Sequence, residues 1–414
     1  MLWLMIAVIP TQIGKHFWPK WSLVAGIRVD YLSVVLYGVD LLWLGLLITW
    51  IIRKIIDKKL KIGVGFLGIL TGIFVLINVL VAENKGVAVY SWFRIGQWFW
   101  FYQYCVKNKM KVREILGAVI PWWVVGESLL GLAQMAKGGS LNGLWWWLGE
   151  RRFNFSTIGV AQMSVWGQGI LRAYGTFSHP NSLAGFLMIV LGLWVGPNPS
   201  ALRASPLDKG AFKKRSIFWW TVAWLAVLGI ILSGSRTIWL LTLVLMIVGF
   251  LKVFKGKLGI KKITGYLMII LGLFLLVLGM INVNYQVRDF LGGWDSDSLT
   301  KRVSLNAAAI KMWRENLMVG VGAGNFIPRL PEYQSENQFF WLQPVHNIFL
   351  LIGSEVGMLG LIILIWLLKD LCEKKSLKKK WWLLALILAS GMVDHYWITL
   401  PQNRWLLAIV LGII

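Results

Sequence analysis

The sequence predicts an all-α polytopic membrane protein with about ten to twelve transmembrane helices and a large outward-facing loop. Three observations predict it. Of 414 residues, 57% are hydrophobic and 14% charged, with a mean hydropathy of +0.67, far from the roughly 25% charged composition of a soluble domain. Apolar stretches of roughly 15 to 24 residues recur between short charged breaks, and about 20 helical residues cross a hydrocarbon core about 30 Å thick. The basic residues are also segregated: 25 of the 42 Lys and Arg fall in five breaks, 53–61, 107–113, 197–215, 252–262 and 369–380.

Basic breaks between apolar spans face the cytoplasm, so these five segments set the orientation. On that basis the spans are 1–10, 31–52, 62–81, 87–106, 114–135, 181–196, 216–232, 236–251, 263–283, 345–368, 381–398 and 404–414. The first and last are short for a crossing and are expected to be re-entrant or incomplete. The chain 1–414 reads as a single membrane-embedded domain. No cleavable signal is evident, because the first apolar run lacks a basic n-region. Segments alternating with the strand period, which a membrane barrel needs, are not seen. Several of the 27 Trp gather at span ends, as at Trp145 to Trp147, Trp219 with Trp220, and Trp381 with Trp382. Indole rings favour the membrane-water interface, although some of these pack between helices.

Two loops on the outer side are long. Residues 136–180 lead into a motif-bearing helix, and residues 284–344 form a small lid. Within the second, 300–318 reads as a surface helix and VGVGAGN at 319–325 as a turn. A net charge of +24 is accounted for by the topogenic loops, and without aromatic stacking motifs it does not point to nucleic acid. Cys105 and Cys372, the two cysteines, suggest neither a disulfide framework nor a metal site. No clustered His, Cys and carboxylate spacing suggests a metal centre, and no cofactor is expected.

All four histidines, His16, His179, His346 and His395, fall at or near the outer face on this topology. Three outward-facing sequences run from a loop into a descending helix: RAYGTFSHPNSLAGF at 172–186, LSGSRTIWL at 232–240 and QPVHNIFLLIGSEVG at 343–357. Such helices present N-terminal amides and positive dipole ends outward. Asn181 or Ser182, and Ser235, read as N-caps, and Pro344 suits a first turn. Converging helix starts make an anion site, to which Arg172, Arg236 and Arg302 add planar forks suited to phosphate oxygens. Arg236 just inside an apolar helix calls for a functional reason, with snorkelling to lipid phosphates as its alternative. Arg302 on an amphipathic helix reads equally as a routine surface arginine. His346, expected in the first helical turn, is placed to stay neutral and accept a proton; the bland alternative is a structural histidine bonded to Asn347 or a loop carbonyl. His179, in His-Pro-Asn, reads more readily as a turn that starts a helix. Gly320, Gly322 and Gly324 follow no strand, which excludes a dinucleotide site. Glu127, Glu355 and Asp394 read either as a proton path or as helix-helix hydrogen bonding.

At these motifs the chain resembles the O-antigen ligase/O-antigen polymerase family of bacterial membrane glycosyltransferases. The resemblance is sharpest in R-x-Y-G-T-F-x-H-P-N-x-L-A-G from Arg172 to Gly185, S-G-S-R from Ser233 to Arg236, the Arg302 helix with GVGAGNF from Gly320 to Phe326, and H-N-x-x-L-x-x-x-x-E-x-G from His346 to Gly357. It implies a metal-independent, inverting transfer of glycan from an undecaprenyl-diphosphate carrier to a hydroxyl at the outer face of the cytoplasmic membrane, in surface polysaccharide or lipopolysaccharide synthesis. The acceptor is lipid A-core, a glycan or another hydroxyl, and membrane lipids are the remaining partners. By position, Arg236 and Arg302 take the diphosphate, His346 activates the hydroxyl, and Arg172 is a further contact; His179, Asn181, Ser235 and Asn347 border the substrate. The family also holds polymerases and protein-glycosylating relatives. A transporter or lipid-linked glycan flippase is the alternative of another class, and it predicts paired broken helices with polar groups near mid-bilayer.

Overall fold

The computed structural model describes residues 1–58, 65–165, 168–195, 212–254, 272, 296–334, 341–368 and 375–414. The expected span 263–283, Cys372 and much of the basic segments 197–215, 252–262 and 369–380 lie outside the described residues. The chain is mostly helical. Its described helices are α1 Leu2–Ala7, α2 Gly38–Ile56, α3 Phe66–Val81, α4 Lys85–Lys107, α5 Lys109–Lys137, α6 Leu144–Trp147, α7 Pro180–Val195, α8 Phe212–Leu232, α9 Arg236–Phe254, α10 Ser296–Glu315, α11 Phe326–Arg329, α12 Ile348–Leu367, α13 Lys375–Gly391, α14 Tyr396–Thr399 and α15 Pro401–Ile413. Two of them, α5 and α12, are long and apolar enough to cross a membrane by length and composition, and five shorter apolar stretches accompany them: Phe66–Val81, Pro180–Val195, Phe218–Leu232, Arg236–Val248 and Trp381–Gly391.

The all-α expectation needs correcting at two places. Strand β1 (Gly14–Phe17) pairs antiparallel with β4 (Val34–Tyr37), and between them β2 (Leu23–Val24) pairs with β3 (Ile27–Arg28). Ala25 and Gly26 both have positive φ, the backbone that a two-residue hairpin turn requires. The span read from residue 31 therefore begins in a 3-10 turn, Asp30–Leu32, followed by β4, and its helix starts at Gly38, where Asp40 Oδ2 accepts the Tyr37 N–H at 2.9 Å. The second place is the loop 136–180, which contains the antiparallel pair β5 (Gln162–Val165) and β6 (Gln168–Leu171). The 381–398 span is also interrupted: α13 ends at Gly391, and α14 is a separate short turn of helix. Within the expected span 1–10, the helix α1 has only six residues, Leu2–Ala7.

Helix α7 is the centre of the bundle. From Pro180 to Trp194 every residue except Asn181 is buried, as expected for a helix that is apolar all round. Its glycines admit neighbours: Gly185 faces the Tyr396 ring and Gly192 faces Trp382. In contrast α3 buries only Phe74 and Asn78 and turns Ile69, Leu76 and Leu80 outward. That is the pattern of an apolar helix whose solvent is lipid.

Several described residues of the segment expected to form a lid belong to a separate apolar cluster. Leu305, Ala308, Ala309 and Met312 of α10 pack with Phe326 and Ile327 of α11, and with Val24, Val29 and Leu32 of the N-terminal hairpin region. The expected surface helix at 300–318 is thus observed as Ser296–Glu315, and the lid also draws on residues near the start of the chain. Beneath it, the glycine turn locks onto α12. Gly320 has φ +74°, and a Cβ there would lie 2.4 Å from the Glu355 carbonyl carbon, so only glycine fits. Asn78 fastens the turn, donating to the Val319 and Glu355 carbonyls at 2.8 and 3.0 Å and accepting from Ala323 N–H at 2.9 Å and Trp92 Nε1 at 2.8 Å.

Candidate functional site

The loop carrying Arg172 is fixed from below by α5. Gln134 Oε1 accepts the Gly175 N–H at 2.8 Å, its amide donates to the Gly175 carbonyl at 2.8 Å, and Glu127 accepts the Thr176 N–H at 2.8 Å. Glu127 thus bonds the loop and, among the described residues, not a neighbouring helix, its second oxygen accepting from the Thr176 hydroxyl at 2.8 Å. From above, Arg172 Nε donates to the Ser233 carbonyl at 2.5 Å, immediately before the turn into α9. Gly234 takes φ +64° there and lies against the Arg172 side chain.

A polar chain then runs across the helix starts. Arg172 Nη2 donates to Asn181 Oδ1 at 2.6 Å, and Asn181 Nδ2 donates to Asp394 Oδ2 at 2.9 Å. The other carboxylate oxygen of Asp394 accepts the His395 N–H at 2.8 Å and lies 3.7 Å from His346 Nδ1. That last separation is an ionic approach rather than a hydrogen bond, and His346 Nδ1 is buried with no bonding partner among the described residues. The His346 and His395 rings are 5.1 Å apart, and His395 Nδ1 bonds the Thr399 hydroxyl at 2.7 Å. Arg302 reaches the same corner from α10, with Nη1 3.3 Å from the Val393 carbonyl. Arg236 opens α9, and with Arg302 and Asp394 it belongs to the electrostatic surroundings of Arg172.

Arg172 thus has two further arginines and one carboxylate as charged neighbours, and the corner carries a positive excess suited to an anion. Burial lowers the Arg172 guanidinium to about 10, still protonated at neutral pH. Burial, reinforced by Arg172, drives His179 down to about 3; burial likewise brings His395 to about 4 against the pull of Asp394. Burial works to raise the Asp394 carboxyl, but the adjoining His346, with His395 and His179, overrides it and holds the group well below the usual carboxylate range.

Several residues sit differently from the sequence reading. His346 precedes the helix instead of lying in its first turn. Asn347 is the N-cap of α12, accepting from Phe349 N–H and Leu350 N–H at 2.9 and 3.2 Å. Asn181 lies within α7 and bridges Arg172 to Asp394 instead of capping, while Ser182 donates to Asn403. The capping role belongs to His179, whose Nδ1 accepts the Asn181 N–H at 3.1 Å. Ser235 is buried just before α9, where its carbonyl accepts the Trp239 N–H at 2.9 Å.

The sequence noted Asp394 as an ionisable group at a span end and His395 as an outer-face histidine, but placed neither in the site with His346. Their one signal was an adjacent acid and imidazole where an apolar stretch ends. Together with His346 they make the one grouping, among the described residues, able to offer three ligand atoms within 4.8 Å of one another. The sequence reading found no such cluster because His346 and Asp394 lie 48 positions apart.

Beside this corner opens a cavity of about 1070 Å³. Its lining combines polar groups, among them His16, Tyr31, Arg151 and His179, with apolar ones such as Ile352, Leu364, Leu388 and Leu407. Such a mixed lining suits an amphiphile.

Residues 221–365 match the family model described as O-antigen ligase. The matched segment includes Arg236, Arg302 and His346, and excludes Arg172, Asn181 and Asp394. No curated protein matches the chain.

Proposed function

From the premise that residues 221–365 support the O-antigen ligase family for this chain, we propose that it transfers a glycan from a polyprenyl-diphosphate carrier to an acceptor hydroxyl. The reaction takes place at the outer face of the membrane in which the protein is embedded. Arg236 and Arg302 hold the diphosphate, with Arg172 adding charge from its buried position. His346, in its neutral form, takes the proton of the acceptor hydroxyl as that oxygen bonds to the anomeric carbon. The bond from that carbon to the diphosphate breaks, and the electron pair leaves with the diphosphate, whose growing charge the arginines stabilise. Attack opposite the leaving group inverts the anomeric configuration. Asp394 is the positioning residue, orienting the imidazole and stabilising its protonated form.

The observation that carries this reading is the polar chain in which Asp394 is tied through Asn181 to Arg172 while its second oxygen faces His346 at 3.7 Å. It links the charge that would meet the diphosphate to the group that would meet the acceptor. The test is release of polyprenyl diphosphate in proteoliposomes, with a panel of lipid A-core, glycan and peptide hydroxyl acceptors. Release by wild type and its loss in His346→Ala and Arg236→Ala supports transfer, and the productive acceptor separates ligase from polymerase. Passage of intact donor across the bilayer replaces transfer with flipping.

One observation favours a second reading, in which His346, Asp394 and His395 hold a cation, since their ligand atoms converge within 4.8 Å. The two readings divide on chelation: the general-base reading expects full activity after exhaustive treatment with a chelator, whereas a required metal ion would abolish turnover until restored.

A further inference from the structure

The apolar cavity contains a second cationic centre that the proposed transfer does not use. We propose that Arg404 and Arg94 form a binding site for the phosphate of a membrane amphiphile whose tails lie along the apolar walls. Both arginines line the cavity, Arg404 from the start of α15 and Arg94 from α4. Arg94 Nη1 donates to Asp40 Oδ1 at 2.7 Å, but its Nη2 is buried with no bonding partner among the described residues. Arg404 has backbone hydrogen bonds, its carbonyl accepting Trp98 Nε1 at 2.9 Å, and no hydrogen bond or ion pair at its guanidinium among the described residues.

The nearby carboxylate is already committed to other donors. Asp40 accepts from Arg94 and from Gln97 Nε2 at one oxygen and from the Tyr37 N–H at the other. Two guanidinium groups thus have one carboxylate between them, in surroundings completed by the rings of Tyr37 and Tyr90. An uncompensated charge among apolar walls is costly, and unmet buried donors call for a partner. Two planar donor forks match phosphate oxygens. The centre is distinct from the other one: the charged and phenolic neighbours of Arg404 are Arg94, Tyr90, Asp40 and Tyr37, whereas those of Arg172 are Tyr174, Asp394, Arg236 and Arg302. The proposal stands whether or not glycan transfer occurs.

The test uses the full-length protein in neutral detergent, with retention of added lipid read by native mass spectrometry. Dioleoyl phosphatidic acid is compared with dioleoylglycerol, which has the same tails and no phosphate, and with inorganic phosphate and a polyprenyl phosphate, which separate the sources of the group. Retention of the phosphate lipids is expected to exceed that of dioleoylglycerol by about tenfold, to fall about tenfold in Arg404→Gln, and to survive in Arg404→Lys. A second measurement needs no variant: phosphatidic acid should protect Arg404 of the wild-type protein from phenylglyoxal, mapped by peptide mass spectrometry, while dioleoylglycerol should not. Equal retention of phosphate and neutral lipids, or labelling of Arg404 that phosphatidic acid leaves unchanged, overturns the site. Binding of inorganic phosphate alone, without preference for a tailed phosphate, overturns the amphiphile.

Discussion

Asp394 has both carboxylate oxygens committed, one to Asn181 and one to the His395 amide while facing His346. Replacing it with Asn keeps the size but removes the charge that would stabilise a protonated His346. On the proposed mechanism Asp394→Asn lowers kcat by about 10²-fold or more, and His346→Ala by about 10² to 10⁴-fold. Single-turnover release of polyprenyl diphosphate measures both, and an Asp394→Asn enzyme with wild-type kcat would remove Asp394 from the mechanism. The buried imidazoles also set a pH dependence of stability. His179 and His395 fall from the ordinary 6.5 to about 3 and about 4, so the unfolded chain binds more protons than the folded one as pH drops below about 6.5. Their contribution is complete above that value and is lost progressively toward pH 4. Tm in detergent is therefore expected to fall between pH 7 and 5, with a shallower fall in His395→Gln. The sequence revealed the cationic half of this corner, because arginines next to apolar helices are conspicuous. It also flagged Asp394 as an ionisable group at a span end but concealed its pairing, since the partners Asn181 and Asp394 are 213 positions apart and no local pattern records such pairing.

The elements show the same division. Long helices follow from apolar length, and α3, α4, α5, α8, α9 and α12 lie where the hydropathy placed them within a few residues. The β1–β4 hairpin was not legible, because VVLY at 34–37 runs without a break into an apolar helix. The break after Gly391 was equally hidden in an apolar stretch. In the glycine turn, the sequence read a turn but not what the turn holds. The role is a lock, with Gly320 at positive φ against the Glu355 backbone and Asn78 making four hydrogen bonds. Gly320→Ala is expected to cost about 1 to 3 kcal/mol from the backbone conformation alone, and Asn78→Ala about 3 kcal/mol or more by stranding buried backbone groups. Both should lower Tm in detergent, and because the lock sits beneath the lid, Gly320→Ala should also reduce turnover. An unchanged Tm in both variants would show that the turn bears no load.

Across the whole molecule, orientation is the claim that most needs measurement. If the basic breaks face the cytoplasm, the end of α2 lies inside and residues 136–180 lie outside. Cysteine placed at exposed Ile158 in a Cys105→Ala, Cys372→Ala background should react with an impermeant maleimide in intact cells. Cysteine at exposed Asp57 should react only after the membrane is opened, and the reverse pattern would invert the topology. Contacts that cross the whole chain also bear on how the protein is made. The Pro10 carbonyl receives the Thr176 hydroxyl at 2.6 Å and the Gln402 amide at 3.2 Å, and Asp394 reaches back to Asn181. During synthesis, a nascent chain that has emerged through its first 390 residues already carries Arg172, Arg236, Arg302 and His346, yet has neither Asp394 nor the closing helix α15. The corner is thus completed only after synthesis has passed α13, so on the proposed mechanism a chain stalled before Asp394 would sit in the membrane without the carboxylate that positions its base.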